Sequence, residues 1–330
     1  MNQHLVVSAP PHINGSEVTS TLMLDVLIAL TPALLAAIYL FGWRALAVTL
    51  VSVFSCLFFE GLYCRMMKRE SSLFDLSAVV TGVLLAFNLP VAIPLWMPVF
   101  GAFMAIVVVK MLFGGLGMNI INPALVGRAF LANSWTADMI AWTRPVLNPA
   151  HWSTMADAVS GATPLGLLKL DTALPDSFGS REQLRNLLLG IQPGCLGETC
   201  SLLLLVGGLY LIARKVITWH IPVAYLGTVA VLCVLLPSVG VSAPLTAAYN
   251  LLGGGLMLGA FFMATDYVTS PLSNSGRLFY GVCCGLLTVF IRRFGPNAEG
   301  VSFSIMIMNL TVWFIDKLFV PRRFGGEVPQ

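Results

Sequence analysis

The stretch MLDVLIALTPALLAAIYLFG, residues 23–42, has one charged side chain, Asp25, in twenty positions. About 20 mainly apolar residues are what a helix needs to cross the hydrocarbon core of a bilayer. The pattern recurs along the chain. Apolar runs of similar kind fall at 22–41, 45–64, 73–90, 95–113 and 120–133, then at 199–213, 219–237, 245–264, 277–292 and 300–320. Composition agrees: 57% of the 330 residues are hydrophobic and 10% are charged, and mean hydropathy is +0.86. A soluble domain carries about 25% charged residues. A charged side chain at the bilayer centre costs about 2.5–3.5 kcal/mol, which is the physical cause of the deficit. The expected fold is an all-α integral membrane protein with about ten transmembrane helices.

These runs divide the chain into a polar N-terminal segment (1–21), helices 1–5 (22–133), a long polar loop (134–198), helices 6–10 (199–320) and a short tail (321–330). An odd number of helices per half reverses the second copy, so a 5+5 inverted repeat is expected, as in many transporters. Gly and Pro interrupt comparable places in both halves, at Asn88-Leu89-Pro90 and from Asp266 to Pro271. GGLG (114–117) and GGG (253–255) permit backbone breaks or close helix contact. Arg65, Lys68, Arg69, Lys110, Arg214, Lys215, Arg277, Lys317, Arg322 and Arg323 all fall on one face if the N-terminus is inside. The positive-inside rule then puts both termini in the cytoplasm and the loop outside, with Arg292 and Arg293 as exceptions. Residues 1–21 lack the basic n-region of a cleaved signal peptide, so the first run is expected to remain as a span.

A net charge of +3, spread along the chain, offers nothing to nucleic acid. The four histidines and seven cysteines show no metal-ligand spacing, so no metal centre is expected. Cys195 and Cys200 flank a polar turn, where pairing requires an oxidising side and suitable geometry.

The loop has 65 residues, far more than ordinary helix connections, and such loops are functional or disordered. Trp135, Trp142, Trp152, Met155 and Phe178 offer apolar anchors, so a small folded or membrane-lying cap is expected. GSREQLRNLLLG (179–190) has helical spacing with Ser180 as N-cap. Within the loop, Ser160-Gly161 favours a turn and Pro164 pushes Thr163 into an extended conformation. The local reading is an exposed, flexible hydroxyl. A plain surface turn and a modification site look alike at this level.

Asp157-x-x-Ser160-Gly161-Ala162-Thr163 resembles the flavinylation motif, at which a transferase joins FMN through its phosphate to threonine. The resemblance implies covalent FMN at Thr163, with Asp157, Ser160, Gly161 and Ala162 read by the flavin transferase. Over its whole length the chain resembles the RnfD family, the D subunits of the Rnf electron-transport complex. It resembles less closely the B subunit of the sodium-pumping NADH:quinone reductase. SAPPHI (8–13), residues 23–42, FGGLGMNIINPALVGRAFL (113–131), SGATPL (160–165) and FFMATDYVTSPL (261–272) carry the likeness. Tyr267 departs from it, standing where proline is expected. The chain also lacks the longer N-terminal extension of that reductase component.

The RnfD family implies a membrane component of an ion-translocating ferredoxin:NAD+ oxidoreductase in a bacterial or archaeal cytoplasmic (inner) membrane. Its partners would be the A, B, C, E and G components of the Rnf complex, its cofactor covalent FMN, with or without a second, non-covalent flavin such as riboflavin, and its cargo Na+ or H+. The chain has no GxGxxG in a βαβ context and no cysteine set for iron–sulfur clusters, so partner proteins must supply those steps. The alternatives are a component of the quinone reductase type, or a flavin-free inverted-repeat transporter. Asp266 with Thr265 is a candidate for ion or flavin binding, or a helix-end residue. Asn119, Asn122 and Arg128 lie on one short helix near the loop, where Arg128 steadies a flavin phosphate or a loop carboxylate, or snorkels to the surface. Asp25 and Asp75 read as structural.

Overall fold

The computed structural model describes residues 18–69, 72–145, 161, 163–169, 179–198, 200–238, 240–295 and 299–320. Its elements are helical, without a strand among the described residues. The first half holds α1 (Thr19–Phe41), α2 (Trp43–Met66), α3 (Ser77–Phe87), α4 (Met97–Phe103, continuing as a π-helix over Met104–Met111) and α5 (Pro123–Ser134). Short helices α6 (Thr136–Met139) and α7 (Pro164–Lys169) and the longer α8 (Arg181–Leu189) follow in the loop. The second half holds α9 (Ser201–Ala213), α10 (His220–Leu235), α11 (Ala243–Leu252) and α12 (Leu256–Leu258, running into a π-helix over Gly259–Met263). It ends with α13 (Asn274–Phe294) and α14 (Val301–Leu318).

Each apolar run became helix because in hydrocarbon the backbone must satisfy its own hydrogen bonds. Hydroxyls inside the helices do the same: Thr31 donates to Leu27 O at 2.7 Å and Thr49 to Ala45 O at 2.9 Å. Leu35, Phe54, Phe58, Val231 and Phe290 stand exposed on the outer faces, as lipid-facing side chains do. The chain is a multi-pass membrane protein.

The apolar runs differ in how much unbroken helix they form. Four helices, α1, α2, α13 and α14, are long and apolar enough to cross, and α11 with α12 makes a fifth that is bent by 62°. The other apolar helices are shorter. The physical reason lies at the Pro and Gly interruptions. The run at 245–264 splits at Gly253–Gly255, where Gly254 and Gly255 take φ of 68° and 65°. The run at 120–133 has an irregular start and becomes helix only after Asn122, whose Oδ1 accepts from Ala124 N at 3.1 Å ahead of Pro123.

Small residues bring helices into contact. A Cβ on Gly285 of α13 would lie 2.7 Å from Thr228 Cβ of α10. Helix association in lipid depends on such close packing, because the lipid chains are as apolar as the helices. The core runs through both halves, with Leu85, Phe87, Leu125, Phe261 and Ile305 in one cluster.

The break at Gly253–Gly255 leaves carbonyls without helical partners, and α13 supplies the donor. Arg292 donates to Asn250 O at 2.6 Å, Gly253 O at 3.2 Å and Gly254 O at 3.3 Å. This accounts for one basic residue that the charge count left as an exception. Loop residues close over the same place. Leu165 of α7 abuts Gly253 and Gly254, while Leu168, Leu187 of α8 and Tyr249 of α11 form a small second core. Ser180 caps α8 as expected, accepting from Gln183 N at 3.1 Å. Trp135 packs edge-on against Trp96 and beside Phe100 and Phe130, a structural role. Trp152, Met155 and Phe178 lie outside the described residues.

Candidate functional site

Three polar places stand out against the apolar bundle. The first is the start of α7. Pro164 presets the first helical φ, and Thr163 Oγ1 accepts from Gly166 N at 3.1 Å, so Thr163 caps the helix. The expectation of an exposed hydroxyl is corrected here, since Thr163 is only 8% exposed. The same Pro164 that extends Thr163 starts a helix whose leucines dock on the bundle and carry the threonine inward. Gly161 donates to Trp142 O at 3.1 Å. A Cβ on Gly161 would meet Arg144 Nε at 2.7 Å, so the missing side chain makes room for a guanidinium two residues from the hydroxyl. A threonine oxygen with a cation close by fits the anionic phosphoester of a tethered flavin. Asp157, Ser160 and Ala162 lie outside the described residues.

The second place is a cavity of about 100 Å³ at the other end of the π-helical segments. Asn119, Asn122, Thr265 and Asp266 line it together. Asp266 accepts from Thr269 Oγ1 at 3.3 Å, and Asn122 Nδ2 donates to Met263 O at 3.4 Å. Thr265 spends its proton on Phe261 O at 2.6 Å. Lys110 also lines this cavity and is paired inside the bundle with Glu60 at 2.7 Å and with Ser77 Oγ at 2.8 Å. Glu60 accepts from Ser72 as well.

Arg128 is not part of that group. It sits at a third place, bonded to Glu299, Ser302 and Asn88 O, with Cys195 Sγ at 4.0 Å. It neither snorkels nor reaches Thr163 by any described contact. Cys195, Glu198 and Glu299 bring their ligand atoms within 4.8 Å of one another. The guanidinium already stands where a cation would balance them, pairing with Glu299. Burial, and after it the Glu299 carboxylate, push Glu198 well above the ordinary carboxylate range. Cys195 and Cys200 are separate thiols.

Sequence reasoning passed over Glu60, Glu198 and Glu299, and used Lys110 and Arg292 only in the charge count, where Lys110 stood at the cytoplasmic face and not, as here, buried against Glu60. Glu60 lies inside an apolar run and Lys110 in another, so the rarity of intramembrane charge was signal enough to find both. Glu198 and Glu299 sit in connecting segments, where acids are unremarkable, and nothing local distinguishes them.

The fold and these charged clusters define a membrane-embedded protein with buried polar groups along a bundle of broken helices. The chain belongs to the NQR2, RnfD, RnfE family, whose sequence model matches residues 6–325. It is 42% identical over 328 residues to the D subunit of the Na(+)-translocating ferredoxin:NAD(+) oxidoreductase complex of Acetobacterium woodii, covering 98% of this chain and 97% of the relative. It is 39% identical to the D subunit of the proton-translocating ferredoxin:NAD(+) oxidoreductase complex of Clostridium ljungdahlii, with 97% and 96% covered. The D subunit of the ion-translocating oxidoreductase complex of Alcanivorax borkumensis is 38% identical, with 98% and 97% covered.

Proposed function

We propose that this chain is the membrane-embedded D subunit of an Rnf-type ion-translocating ferredoxin:NAD+ oxidoreductase, carrying FMN in phosphoester linkage to Thr163 and coupling electron transfer to Na+ or H+ movement. The observation that carries the reading is the Asp157–Thr163 motif within a chain that matches such D subunits over nearly its full length. When bound, the flavin supplies one- and two-electron transfer while the protein supplies position and electrostatics. Thr163 Oγ1 provides the ester oxygen, and Arg144 beside Gly161 offsets the phosphate charge. Leu165 and Leu168 hold α7 against the bundle and so fix the tether. Because Thr163 is buried, the flavin transferase must act before α7 docks or after it lifts.

The A, B, C, E and G components of the complex supply NAD and iron–sulfur chemistry in this reading. The cavity lined by Asn119, Asn122, Thr265 and Asp266 joins polar groups to apolar walls, which suits a partly dehydrated ion; a non-covalent riboflavin there would need the cavity to widen, since ligands of that size occupy pockets of about 300 Å³ or more. Helix breaks and π-helical stretches in both halves support a ten-segment 5+5 inverted repeat. The positive-inside count supports the loop outside and both termini cytoplasmic, with the inner membrane as its place in this reading.

The test is a denaturing gel viewed under ultraviolet light. Chain made in cells that have the transferase should fluoresce at its own mass, and Thr163→Ala should be dark. A dark wild-type band overturns the flavin assignment.

A further inference from the structure

Between α7 and the nearby ends of α10, α11 and α13 lies a cavity of about 260 Å³. Among the described residues its charged lining is cationic: Lys169, which also donates to Gly295 O, Arg292 and Arg293, with Asn250 beside them. Arg292 is 6% exposed, and its Nε–H is buried without a hydrogen-bond partner. Its remaining N–H groups go to neutral acceptors, the carbonyls of the Gly253–Gly255 break and Asn250 Oδ1. Arg293 likewise donates to Leu236 O at 2.8 Å and Pro237 O at 3.3 Å.

Carbonyls satisfy these donors but do not cancel their charge. Neither arginine makes a salt bridge among the described residues. The neighbouring acid, Glu198, stands across the break against Gly255. A buried cation needs a counter-charge, since leaving it unpaired in a low dielectric is costly. The rim indicates what kind of molecule brings one. Leu235, Leu236, Phe290 and Phe294 are exposed around the mouth, Phe294 at 70%, continuous with the lipid-facing sides of α10 and α13. A soluble anion gains nothing from such a rim, whereas an amphiphile lays its chains along it.

We propose that this cavity binds the phosphate headgroup of an anionic phospholipid, with Lys169, Arg292 and Arg293 facing the phosphate and the acyl chains lying on Leu235, Phe290 and Phe294. Basic pockets between transmembrane helices bind anionic headgroups by the same chemistry. The bound lipid would also brace the break, because Arg292 holds the Gly253 and Gly254 carbonyls from the other side. Nothing in the proposal depends on flavin at Thr163.

The full chain, purified in detergent, can be tested with mixed micelles containing phosphatidylglycerol or phosphatidylcholine. Phosphatidylglycerol should stay bound in native mass spectrometry and raise the unfolding temperature, and phosphatidylcholine should do neither. Lys169→Gln with Arg293→Gln leaves the buried Arg292 in place and should weaken that binding about thirtyfold. Its unfolding temperature without lipid should match wild type. Equal binding of the two lipids by wild type overturns the proposal, as does undiminished binding by the variant. An equal thermal shift from inorganic phosphate alone also overturns it, in favour of a soluble anion.

Discussion

Glu198 shows how much a single side chain can depend on its surroundings. In a polar turn it reads as an ordinary solvated acid, yet it is buried beside Glu299, and its carboxyl is pushed well above the usual range. A carboxyl with a raised pKa in the fold binds more protons folded than unfolded, so stability falls as pH rises through the interval between the two values. Glu198→Gln removes that dependence. The variant should equal wild type near the unfolded-state pKa and become the more stable of the two as pH rises, read by thermal unfolding across a pH series. A gap that stays constant with pH would mean Glu198 is ionised in the fold. Gly161 makes a second case. A Cβ there collides with Arg144, so Gly161→Val should lower flavin incorporated per chain, measured by in-gel fluorescence against total protein.

At the scale of elements, the helix breaks govern the architecture. Gly254 has φ 68°, a conformation that costs other residues about 1–2 kcal/mol. A Cβ at that position also meets Arg292 at 2.7 Å. Gly254→Ala should therefore destabilise by at least about 1–2 kcal/mol in denaturant unfolding, since strain and crowding add. The Glu60–Lys110 pair joins α2 to the π-helical end of α4, and both side chains are almost wholly buried. Breaking such a pair by removing one partner costs about 3–5 kcal/mol, whereas replacing both with apolar groups is often neutral. Lys110→Met and Glu60→Met alone should each unfold easily, and the double substitution should recover most of the loss. A double-mutant cycle on unfolding midpoints reads the coupling directly.

Across the whole molecule, a series of contacts, polar and apolar, runs through the bundle. From Thr163 and Leu165 it passes to the Gly253–Gly255 break, then to Glu198, Glu299 and Arg128, then by Asn88 and Met263 to Asn122 and Asp266. In the proposed function this series joins the flavin end to the ion end. Asp266→Ala should leave electron transfer in the assembled complex largely intact while reducing ion uptake by sealed vesicles. Unchanged uptake per electron would remove Asp266 from the ion path.

Apolar run length and the near absence of charge were enough to establish a helical membrane protein, because hydrocarbon tolerates no other backbone arrangement for an open chain. The run at 22–41 lies within α1, which begins three residues earlier at Thr19 and ends at Phe41, and Ser180 caps α8 where its spacing placed it. The motif ending at Thr163 is a short contiguous stretch, so the proposed flavin attachment rests on sequence alone. Hydropathy sums composition along the sequence and cannot see a bend; GGG at 253–255 permitted a break in the run at 245–264, and only the three-dimensional structure showed that the chain takes it. Which charges meet was likewise decided by folding. Arg128 and Glu299 are 171 residues apart in sequence, and Arg292 finds its carbonyls 38–42 residues upstream. Contacts so distant along the chain leave no local trace, and tertiary packing alone turned Thr163 inward and gathered the cations around one cavity.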